Sequence, residues 1–337
     1  MLSALCSVAL NQRDTVASSQ TREKNGTEFS ILMLDSRIGI QMHIALLNRD
    51  EISHVGGDAV QLRGYQKALR RLGHDADYLS AGSHDLRRYH EAWLFHVNFP
   101  WCSCHYRTAR TWDLPIRLFP IYYPKSHGMP AETMVFLYAK AIYPLSEVEK
   151  LEMLTELDLP LSVASKMRVI PNGVDRNIFF DRGVERKYVM SAGRYETYKG
   201  HYRVAQAASA LGLPFLIVGA VWDHELHDQC RALCGPDSLV LDNVTQDELA
   251  VLYSQARVYV CASTSERNNL AILEAAACGA TVINSSENRG NAWLSAPTVD
   301  PTNQAELKAA IQRAWGNPIS YSTEVKSWDD VVREILA

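Results

Sequence analysis

The sequence predicts an α/β fold made of two tandem, doubly wound parallel-sheet domains. Short apolar runs of strand character alternate with segments of helical periodicity in both halves of the chain, which is the pattern of βαβ units. A length of 337 residues exceeds what one hydrophobic core usually serves, so we expect two domains of roughly 150 residues each. Such sheets bind ligands at the carboxyl ends of their strands, and the cleft between the domains is therefore the expected site.

The first half begins with an apolar run of strand character at residues 29–35. The pair Gly56-Gly57 then precedes residues of helical spacing that end at Gly73. Ser146, with Glu149 three residues later, predicts a helix that starts with a capping box. Further strands are expected at 76–79, 92–97, 116–119 and 140–145.

The second half repeats the alternation of strand and helix. Strands are expected at 188–192, 214–218, 239–241, 258–261 and 281–284. Helices are expected at 201–211, 224–234, 246–255, 270–278, 304–315 and 328–336. We divide the chain into a flexible leader, an N-terminal domain, a linker, a C-terminal domain and a terminal helix able to pack back on the N-terminal domain. These segments are 1–28, 29–176, 177–187, 188–322 and 323–337.

The composition is that of a globular protein, with 47% hydrophobic and 21% charged residues. A net charge of −4 indicates no global attraction to nucleic acid or to anionic membranes. Seven cysteines show no paired framework, which favours a reducing, cytoplasmic location and no metal site. No apolar run reaches the ~18–20 residues of a membrane span, so we expect at most peripheral membrane contact.

Two cations and two carboxylates in the second half suggest the chemistry. Arg194 and Lys199 each stand next to a glycine, between an expected strand and the start of an expected helix. Positive side chains beside free backbone N–H groups suit a pyrophosphate. Glu266 and Glu274 lie eight residues apart, the second on an apolar helix, and provide acceptors for the hydroxyls of a ribose and a hexose. The pattern indicates a sugar transferase that uses a nucleotide sugar.

Four pieces of the sequence carry a resemblance to a known family. They are Gly56-Gly57, the segment Ile-Pro-Asn-Gly-Val-Asp at 170–175, Gly193-Arg194 followed by Lys199-Gly200, and Glu266 with Glu274 and the Ala277-Cys278-Gly279 that follows it. In this order and at these separations the chain resembles the retaining glycosyltransferases of family four, from Phe29 to the C-terminus. The resemblance implies the GT-B architecture, which is two Rossmann-like domains with a cleft between them.

The resemblance also implies roles for individual residues. Arg194 and Lys199 would bind the donor diphosphate, Glu274 the ribose and Glu266 the transferred sugar. The glycine pair would let the first helix approach the phosphates without a Cβ in the way, and the backbone at Val244 would contact the base. The implied donor-binding residues are Gly56, Gly57, Arg194, Lys199, Val244, Glu266, Asn268, Asn269, Leu270 and Glu274.

The chain departs from the family pattern after Glu266. The family commonly has Gly-Phe-Gly-Leu there, with backbone N–H groups that reach the donor, whereas this chain has Arg267-Asn268-Asn269-Leu270. Asparagine adopts the left-handed conformation more readily than most residues, so the asparagines are expected to preserve the turn. Arg267 adds bulk and charge at the sugar pocket and leaves the identity of the donor sugar open.

A second departure concerns the histidine that the family offers on the acceptor side of the cleft. The expected position holds Ile121, Tyr122 or Tyr123. His96, at the end of an expected strand, and His127, a few residues late, are the two candidates for this role.

The reaction implied by the resemblance is retaining transfer of a sugar from a nucleoside-diphosphate sugar to a hydroxyl group. It needs no cofactor and no metal if Arg194, Lys199 and helix N-termini carry the charge of the leaving group. The expected acceptor is a glycan or a lipid-linked glycan. A modified base in DNA stays open as an acceptor, because three arginines lie among aromatic residues in the first half. They are Arg107, Arg110 and Arg117.

Other functions stay open as well. A nucleotide-sugar epimerase of the same fold would need acid and base carboxylates in the cleft. A non-catalytic subunit that binds a nucleotide sugar or a partner enzyme is favoured by the two departures and disfavoured by the intact cations and carboxylates. A nicotinamide dehydrogenase is disfavoured, because no Gly-x-Gly-x-x-Gly follows the first expected strand of either half.

Overall fold

The computed structural model describes residues 41–49, 57–80, 82, 84–124, 128 and 130–337. Several expectations from the sequence lie outside the described residues. They are the leader 1–28, the strand at 29–35, Gly56 and His127.

The N-terminal lobe is built on one sheet of five parallel strands in the order β2-β1-β3-β4-β5. The strands are β1 (His43–Leu47), β2 (Asp75–Leu79), β3 (Glu91–Phe95), β4 (Ile116–Phe119) and β5 (Ala141–Ile142). The helices are α1 (Gly57–Arg71), α2 (Pro100–Thr111), α3 (Met134–Tyr138), α4 (Glu147–Glu156) and α5 (Leu161–Ala164). Alternate residues of β1 belong to different apolar clusters, so both faces of the sheet are buried.

The C-terminal lobe is built on one sheet of six parallel strands in the order β11-β10-β9-β6-β7-β8. The strands are β6 (Tyr188–Ala192), β7 (Phe215–Gly219), β8 (Leu239–Asp242), β9 (Ala256–Val260), β10 (Thr281–Ser285) and β11 (Thr298–Val299). The helices are α6 (His201–Ala210), α7 (His224–Ala232), α8 (Gln246–Gln255), α9 (Leu270–Ala277), α10 (Gln304–Gly316) and α11 (Trp328–Leu336). The predicted fold class, two doubly wound parallel sheets, is confirmed.

Some elements differ from the sequence-based expectation. The strand β1 and the helix α2 were not predicted, and the strand expected at 140–145 is reduced to the two residues of β5. The central strand β1 is a short continuous apolar run, which has no alternation to distinguish it from a buried loop or helix segment. Pro144 follows β5 and has no N–H for a ladder bond, which explains the early end of that strand.

The chain returns to the N-terminal lobe at its end. Val174 bonds to two backbone positions of the returning chain: its carbonyl accepts from Trp328 N–H at 3.1 Å, and its N–H donates to the Lys326 carbonyl at 3.0 Å. The buried face of α11, which includes Trp328 and Ile335, belongs to the same apolar cluster as β1 and α1. The terminal helix therefore covers one face of the N-terminal sheet.

The segment between the two sheets packs on the C-terminal lobe. Phe179 is buried in the core of that lobe, and the guanidinium groups of Arg182 and Arg186 donate to backbone carbonyls there. In the ranges that the structure describes, no helix is both long and apolar enough to cross a bilayer.

Candidate functional site

The loop between β6 and α6 carries the two predicted phosphate-binding cations. Arg194 Nη2 lies 3.0 Å from the Glu196 carboxylate and donates to the Tyr198 hydroxyl at 3.1 Å. The guanidinium also lies 4.6 Å from the ring centre of Trp222, in cation–π contact. These contacts hold Arg194, which is only partly buried, at the carboxyl end of β6.

Lys199 and Glu266 form a direct ion pair. Lys199 Nζ lies 2.5 Å from Glu266 Oε2, and the two side chains are only 15% and 12% exposed. The same carboxylate oxygen accepts from the Ser263 hydroxyl and the Asn269 amide, each at 3.4 Å. A cation from the loop after β6 thus meets a carboxylate from the loop after β9, although 67 residues separate them in sequence.

The backbone of these two loops is tied together beside the ion pair. Thr264 N–H donates to the Tyr198 carbonyl at 2.8 Å. Gly200 adopts a left-handed conformation with φ 75°, and a Cβ on it would lie 2.1 Å from the Ala262 carbonyl oxygen. Only glycine permits both this conformation and this close approach.

We expect Gly200→Ala to destabilise the protein by on the order of 3 kcal/mol, because the new Cβ clashes with backbone and the residue is held left-handed. Gly212→Ala is the matched control, since Gly212 has φ 65° but open space around a Cβ. The control should cost only about 1 kcal/mol, the conformational part of the effect. Urea unfolding measures both variants, and equal losses would contradict the importance of the Ala262 contact.

His201, which the sequence analysis did not single out, positions the Arg194 backbone. Its Nε2–H donates to the Arg194 carbonyl at 3.1 Å, so its Nδ1 accepts from the Ser191 hydroxyl at 3.0 Å. Burial lowers the pKa of His201 to about 4, which keeps the ring neutral and this tautomer in place at neutral pH. A histidine directly after the Lys-Gly pair was the available sequence signal.

Glu274, the predicted ribose ligand, is a buried carboxylate on the first turns of α9. It is 8% exposed and accepts from the Tyr253 hydroxyl at 3.3 Å. Burial raises the pKa of Glu274 to about 7, opposed by the Tyr253 hydrogen bond. A pocket between the lobes reaches this side chain, and its other walls include Arg63 and Lys67 of α1 and Gln246 of α8.

The raised pKa of Glu274 predicts two opposite pH effects. An ionised carboxylate accepts from two ribose hydroxyls, so nucleotide affinity should strengthen as pH rises through about 7. Between the ordinary value of 4.5 and about 7 the folded state binds a proton that the unfolded state lacks, so this group lowers stability as pH rises across that window.

Calorimetric nucleotide titrations and urea unfolding from pH 5.5 to 8.5 check both signs. Glu274→Gln should flatten the affinity profile and weaken the stability profile, whose remaining slope in this window comes from Glu149. Glu185→Gln, a change at an exposed glutamate, should leave both profiles unchanged. A wild-type pH profile that survives in Glu274→Gln would contradict the assignment.

The segment Arg267-Asn268-Asn269-Leu270 keeps a turn, but by a different device from the one expected. Neither asparagine is left-handed. Asn269 has φ −89° and ψ 102°, and its side chain caps α9 by accepting from Ile272 N–H at 3.2 Å. The left-handed expectation was therefore wrong, because an N-cap residue requires an extended backbone. Leu270 begins the helix and lines the pocket beside Glu274.

Arg267 points across the cleft to the N-terminal lobe. Its Nη1 lies 3.4 Å from one carboxylate oxygen of Glu152 on α4, and Arg289 Nη1 lies 2.6 Å from the other. The Glu152 carboxylate of the N-terminal lobe therefore contacts two arginines of the C-terminal lobe. This contact couples the position of α4 to the residue that follows Glu266.

The capping box expected at Ser146 forms only in part. Ser146 accepts from Glu149 N–H at 3.1 Å, as expected. The Glu149 carboxylate does not return to the cap; it accepts from Leu145 N–H at 2.5 Å and from Tyr122 N–H at 2.7 Å. The Glu149 carboxylate instead holds the loop that follows β4 and leads to Tyr123. Burial raises the pKa of Glu149 to about 7.

On the N-terminal side, Gly57 opens α1 and has open space where a Cβ would lie. The first turn also holds Asp58, whose carboxylate accepts from Arg49 at 2.9 Å. His96 follows β3, is 5% exposed, and places Nε2 3.9 Å from Asp58 Oδ2. Burial lowers the pKa of His96 to about 4, so the ring is neutral at physiological pH.

Val244 lies before α8, is half-buried and packs against the C-terminal core. Of the three arginines behind the DNA possibility, Arg117 does not belong to a basic surface. It is nearly buried, with Nε 2.8 Å from the Glu91 carboxylate and Nη1 donating to the Ile335 carbonyl at 2.8 Å.

In the C-terminal lobe, Arg194 and Lys199 lie on the loop after β6, and Lys199 meets Glu266 from the loop after β9. Glu274, on the helix that follows, lines a pocket whose walls do not include those three residues. Cations with nearby carboxylates suit an anionic ligand that also carries hydroxyl groups. Across the part of the chain that the structure describes, no group of three or more His, Cys, Asp or Glu side chains is arranged to hold a metal ion.

Residues 175–326 match the family described as glycosyl transferases group 1. A sequence search of curated proteins found no match to the chain. Among solved structures, sucrose-phosphate synthase from Thermosynechococcus elongatus is similar with a TM-score of 0.64 and 16% identity, over 87% of this chain and 94% of that chain.

HepE from Anabaena, in complex with UDP, is similar with a TM-score of 0.63 and 14% identity, over 87% of this chain and 95% of that one. An α,α-trehalose-phosphate synthase (UDP-forming) from Burkholderia xenovorans, in complex with glucose-6-phosphate, has a TM-score of 0.62 and 13% identity, over 88% of this chain and 100% of that one. At these identities the likeness shows the fold, which is GT-B, while residues 175–326 match the glycosyl transferases group 1 family.

Proposed function

We propose that this protein is a retaining glycosyltransferase of family four that moves a sugar from a nucleoside-diphosphate sugar to a hydroxyl group of a glycan. The observation that carries the proposal is the Lys199–Glu266 pair at 2.5 Å, in which the lysine lies on the same loop as Arg194. With Glu274 it provides a group for each part of the donor: cations for the diphosphate, and carboxylates for the sugar and ribose hydroxyls.

The comparisons support the donor and acceptor classes. The matched glycosyl transferases group 1 region contains all four of these residues. HepE was solved with UDP and the trehalose-phosphate synthase with glucose-6-phosphate, which supports a nucleotide-sugar donor and a sugar-type acceptor here.

In the proposed reaction, the bond from the anomeric carbon to the diphosphate oxygen breaks and a bond to the acceptor oxygen forms on the same face. The acceptor proton moves to a phosphate oxygen of the leaving nucleoside diphosphate. Arg194 and Lys199 stabilise the negative charge as it develops. Because these two cations balance the negative charge of the leaving group, the transferase we propose needs neither metal nor cofactor.

Donor binding must open the ion pair between Lys199 and Glu266. Without donor, Lys199 is neutralised by Glu266. A bound donor would place phosphate oxygens beside Lys199 and sugar hydroxyls beside Glu266, so each partner exchanges its contact with the other for contacts with the donor. The desolvated geometry makes these contacts stronger than they would be in water.

A donor screen by thermal shift tests the proposal, with UDP, GDP, ADP, CDP and dTDP as probes. One nucleotide should protect, by about 2.7 kcal/mol at a hundredfold excess over its Kd. Arg194→Ala and Lys199→Ala should remove the protection, whereas Arg313→Ala, at an exposed arginine of α10, should retain it. Protection by none of these nucleotides would contradict the proposal.

Product analysis with the matching nucleotide sugar separates the competing functions. Turnover with a glycan acceptor supports transfer, and the anomeric configuration of the product decides retention. An epimerised nucleotide sugar formed without acceptor would indicate an epimerase. Nucleotide protection without any turnover would favour a non-catalytic subunit.

The acceptor and the location are also proposals. We favour a glycan over DNA because Arg117 is paired with Glu91 in the interior and does not extend a basic surface. The six described cysteines are free thiols, which agrees with a cytoplasmic location. Fractionation of the expressing cell tests the latter.

A further inference from the structure

Four ring side chains cluster at the carboxyl ends of β3 and β4 in the N-terminal lobe. Phe99 and Trp101 stack with ring centres 4.3 Å apart and planes within 8°. His96 meets both rings edge-on, at 5.2 Å and 6.3 Å, and Tyr123 meets Phe99 edge-on at 6.0 Å. The rings of Phe99, Trp101 and Tyr123 are partly exposed, so this aromatic cluster is not a closed core.

The backbone around the cluster is held in a costly conformation. His96 follows β3 with φ 65°, and Ile121 follows the neighbouring strand β4 with φ 44°. Left-handed residues that are not glycine cost of order 1–3 kcal/mol each and concentrate at ligand sites. The Asn98 side chain secures the arrangement, because it accepts from Tyr123 N–H at 2.8 Å and donates to the Tyr123 carbonyl at 2.9 Å.

Trp101 Nε1 is buried and lacks a hydrogen-bond partner among the described residues. His96 Nδ1 is also buried and lacks a well-formed hydrogen bond there, although the Ile121 backbone interacts with the His96 ring. A buried polar atom without a hydrogen bond costs free energy, so native structures usually provide a partner. The His96 side chain is only 7% exposed, and a ligand with hydroxyl groups would supply what both atoms lack.

The cluster belongs to the reacting end of the site. Tyr123 is one of the three residues, with Ile121 and Tyr122, at the position where the family resemblance implies the acceptor-side histidine. The loop that carries Tyr123 is held to α4, because Glu149 accepts from Tyr122 N–H at 2.7 Å. From the same helix, Glu152 lies 3.4 Å from Arg267, the residue that follows Glu266. Since Glu266 is the proposed contact of the transferred sugar, α4 connects the Tyr123 loop to the proposed donor site.

We propose that Phe99, Trp101 and Tyr123 form an acceptor subsite for a neutral carbohydrate ring, with His96 as a hydrogen-bonding wall. This rests on the proposed function. A sugar ring has an apolar C–H face for aromatic rings and hydroxyls that both donate to and accept from a neutral histidine. Asp58 Oδ2 lies 3.9 Å from His96 Nε2, and Arg49 pairs with the same carboxylate at 2.9 Å. The side chains of the cluster itself carry no cation for a phosphate group, which favours a neutral acceptor.

Fluorine NMR of protein labelled with 5-fluorotryptophan tests the proposal, because three of the seven tryptophans report different places. Trp101 reports on the proposed subsite. Trp222 contacts Arg194 and therefore reports on the proposed site for the donor diphosphate. Trp112, at the far end of α2 and in contact with Arg87, is the control. The variants Trp101→Leu, Trp222→Leu and Trp112→Leu assign the three resonances.

Methyl α-glucoside and methyl α-mannoside at tens of millimolar should shift the Trp101 resonance and leave Trp112 in place. The matching nucleoside diphosphate should shift Trp222. A sugar shift at Trp101 without any nucleotide shift at Trp222 would overturn the proposed function while leaving a sugar site. A nucleotide shift at Trp222 without any sugar shift at Trp101, or a Trp101 shift only with glucose 6-phosphate or a thymidine octanucleotide, would overturn the subsite.

Kinetics provide a second readout. Trp101→Leu should lower kcat/KM for the acceptor by roughly tenfold or more, the loss typical of a stacked ring, while the Kd of the nucleotide changes less than about twofold. Trp112→Leu should change neither. Melting curves identify any variant that fails to fold, in which case Trp101→Phe replaces it. Equal losses for acceptor and donor in a folded variant would overturn the proposal.

Discussion

Replacing Lys199 with methionine is expected to reduce kcat/KM for the nucleotide sugar by on the order of 10³, the largest effect of any single change in the proposed site. Two losses combine. The leaving diphosphate loses a cation, and the Glu266 carboxylate, 12% exposed, loses the partner at 2.5 Å that offsets its burial. An uncompensated negative charge then faces an anionic donor.

A double variant separates these two losses. In Lys199→Met/Glu266→Gln the unpaired carboxylate is gone, so nucleotide affinity should partly recover while turnover stays low. Calorimetry gives the affinity and release of nucleoside diphosphate gives the rate. Lys326→Met is the matched control, because Lys326 and Glu334 form a pair at the same 2.5 Å on the exposed surface and should contribute little. Near wild-type turnover in Lys199→Met would contradict the proposed leaving-group role.

Replacing Trp328 with alanine is expected to lower the free energy of unfolding by about 3–5 kcal/mol, as for other buried tryptophans. Trp328 is 3% exposed and begins α11. Its ring lies 5.0 Å from that of Tyr65 and directly over Gly64, where a Cβ would come within 2.3 Å of the indole. The substitution would open a cavity between the terminal helix and α1.

Urea unfolding measures this loss. Trp112→Ala is the control, since Trp112 is 39% exposed and its loss should cost less than about 1 kcal/mol. Gly64→Ala should also destabilise, because the new methyl group would displace the indole. A loss below that of the control in Trp328→Ala would mean that α11 is not needed to cover the N-terminal sheet.

Local patterns predicted much of the fold. Helices such as α1 and α10 follow from apolar residues at helical spacing, and strands such as β7 and β9 from short apolar runs between turns. The strand β1 was missed, because a fully buried central strand has no alternation to read. The capping box at Ser146 forms only in part: Ser146 accepts from Glu149 N–H, but the Glu149 carboxylate accepts from Leu145 and Tyr122 N–H instead of from the cap residue.

For the candidate site, the sequence predicted the residues we propose for the chemistry but not how they pair. Arg194 and Lys199 stand out because glycines flank them between strand and helix. Neither His201 under the Arg194 backbone nor Glu152 across the cleft has a comparable local signal. Their partners are set by which loops meet, and that depends on the order of strands in the sheet.

By itself, then, the sequence determined the two parallel sheets and the charged groups of the candidate donor site, since periodicity and turn chemistry act over a few neighbouring residues. Only the tertiary structure decided that Lys199 meets Glu266, that Glu152 joins Arg267 and Arg289, and that His96 stands among aromatic rings. Such contacts join residues that are distant in the chain. They arise because parallel strands bring the loops at their carboxyl ends to one edge, and because that crowding holds side chains in conformations that no local pattern prefers.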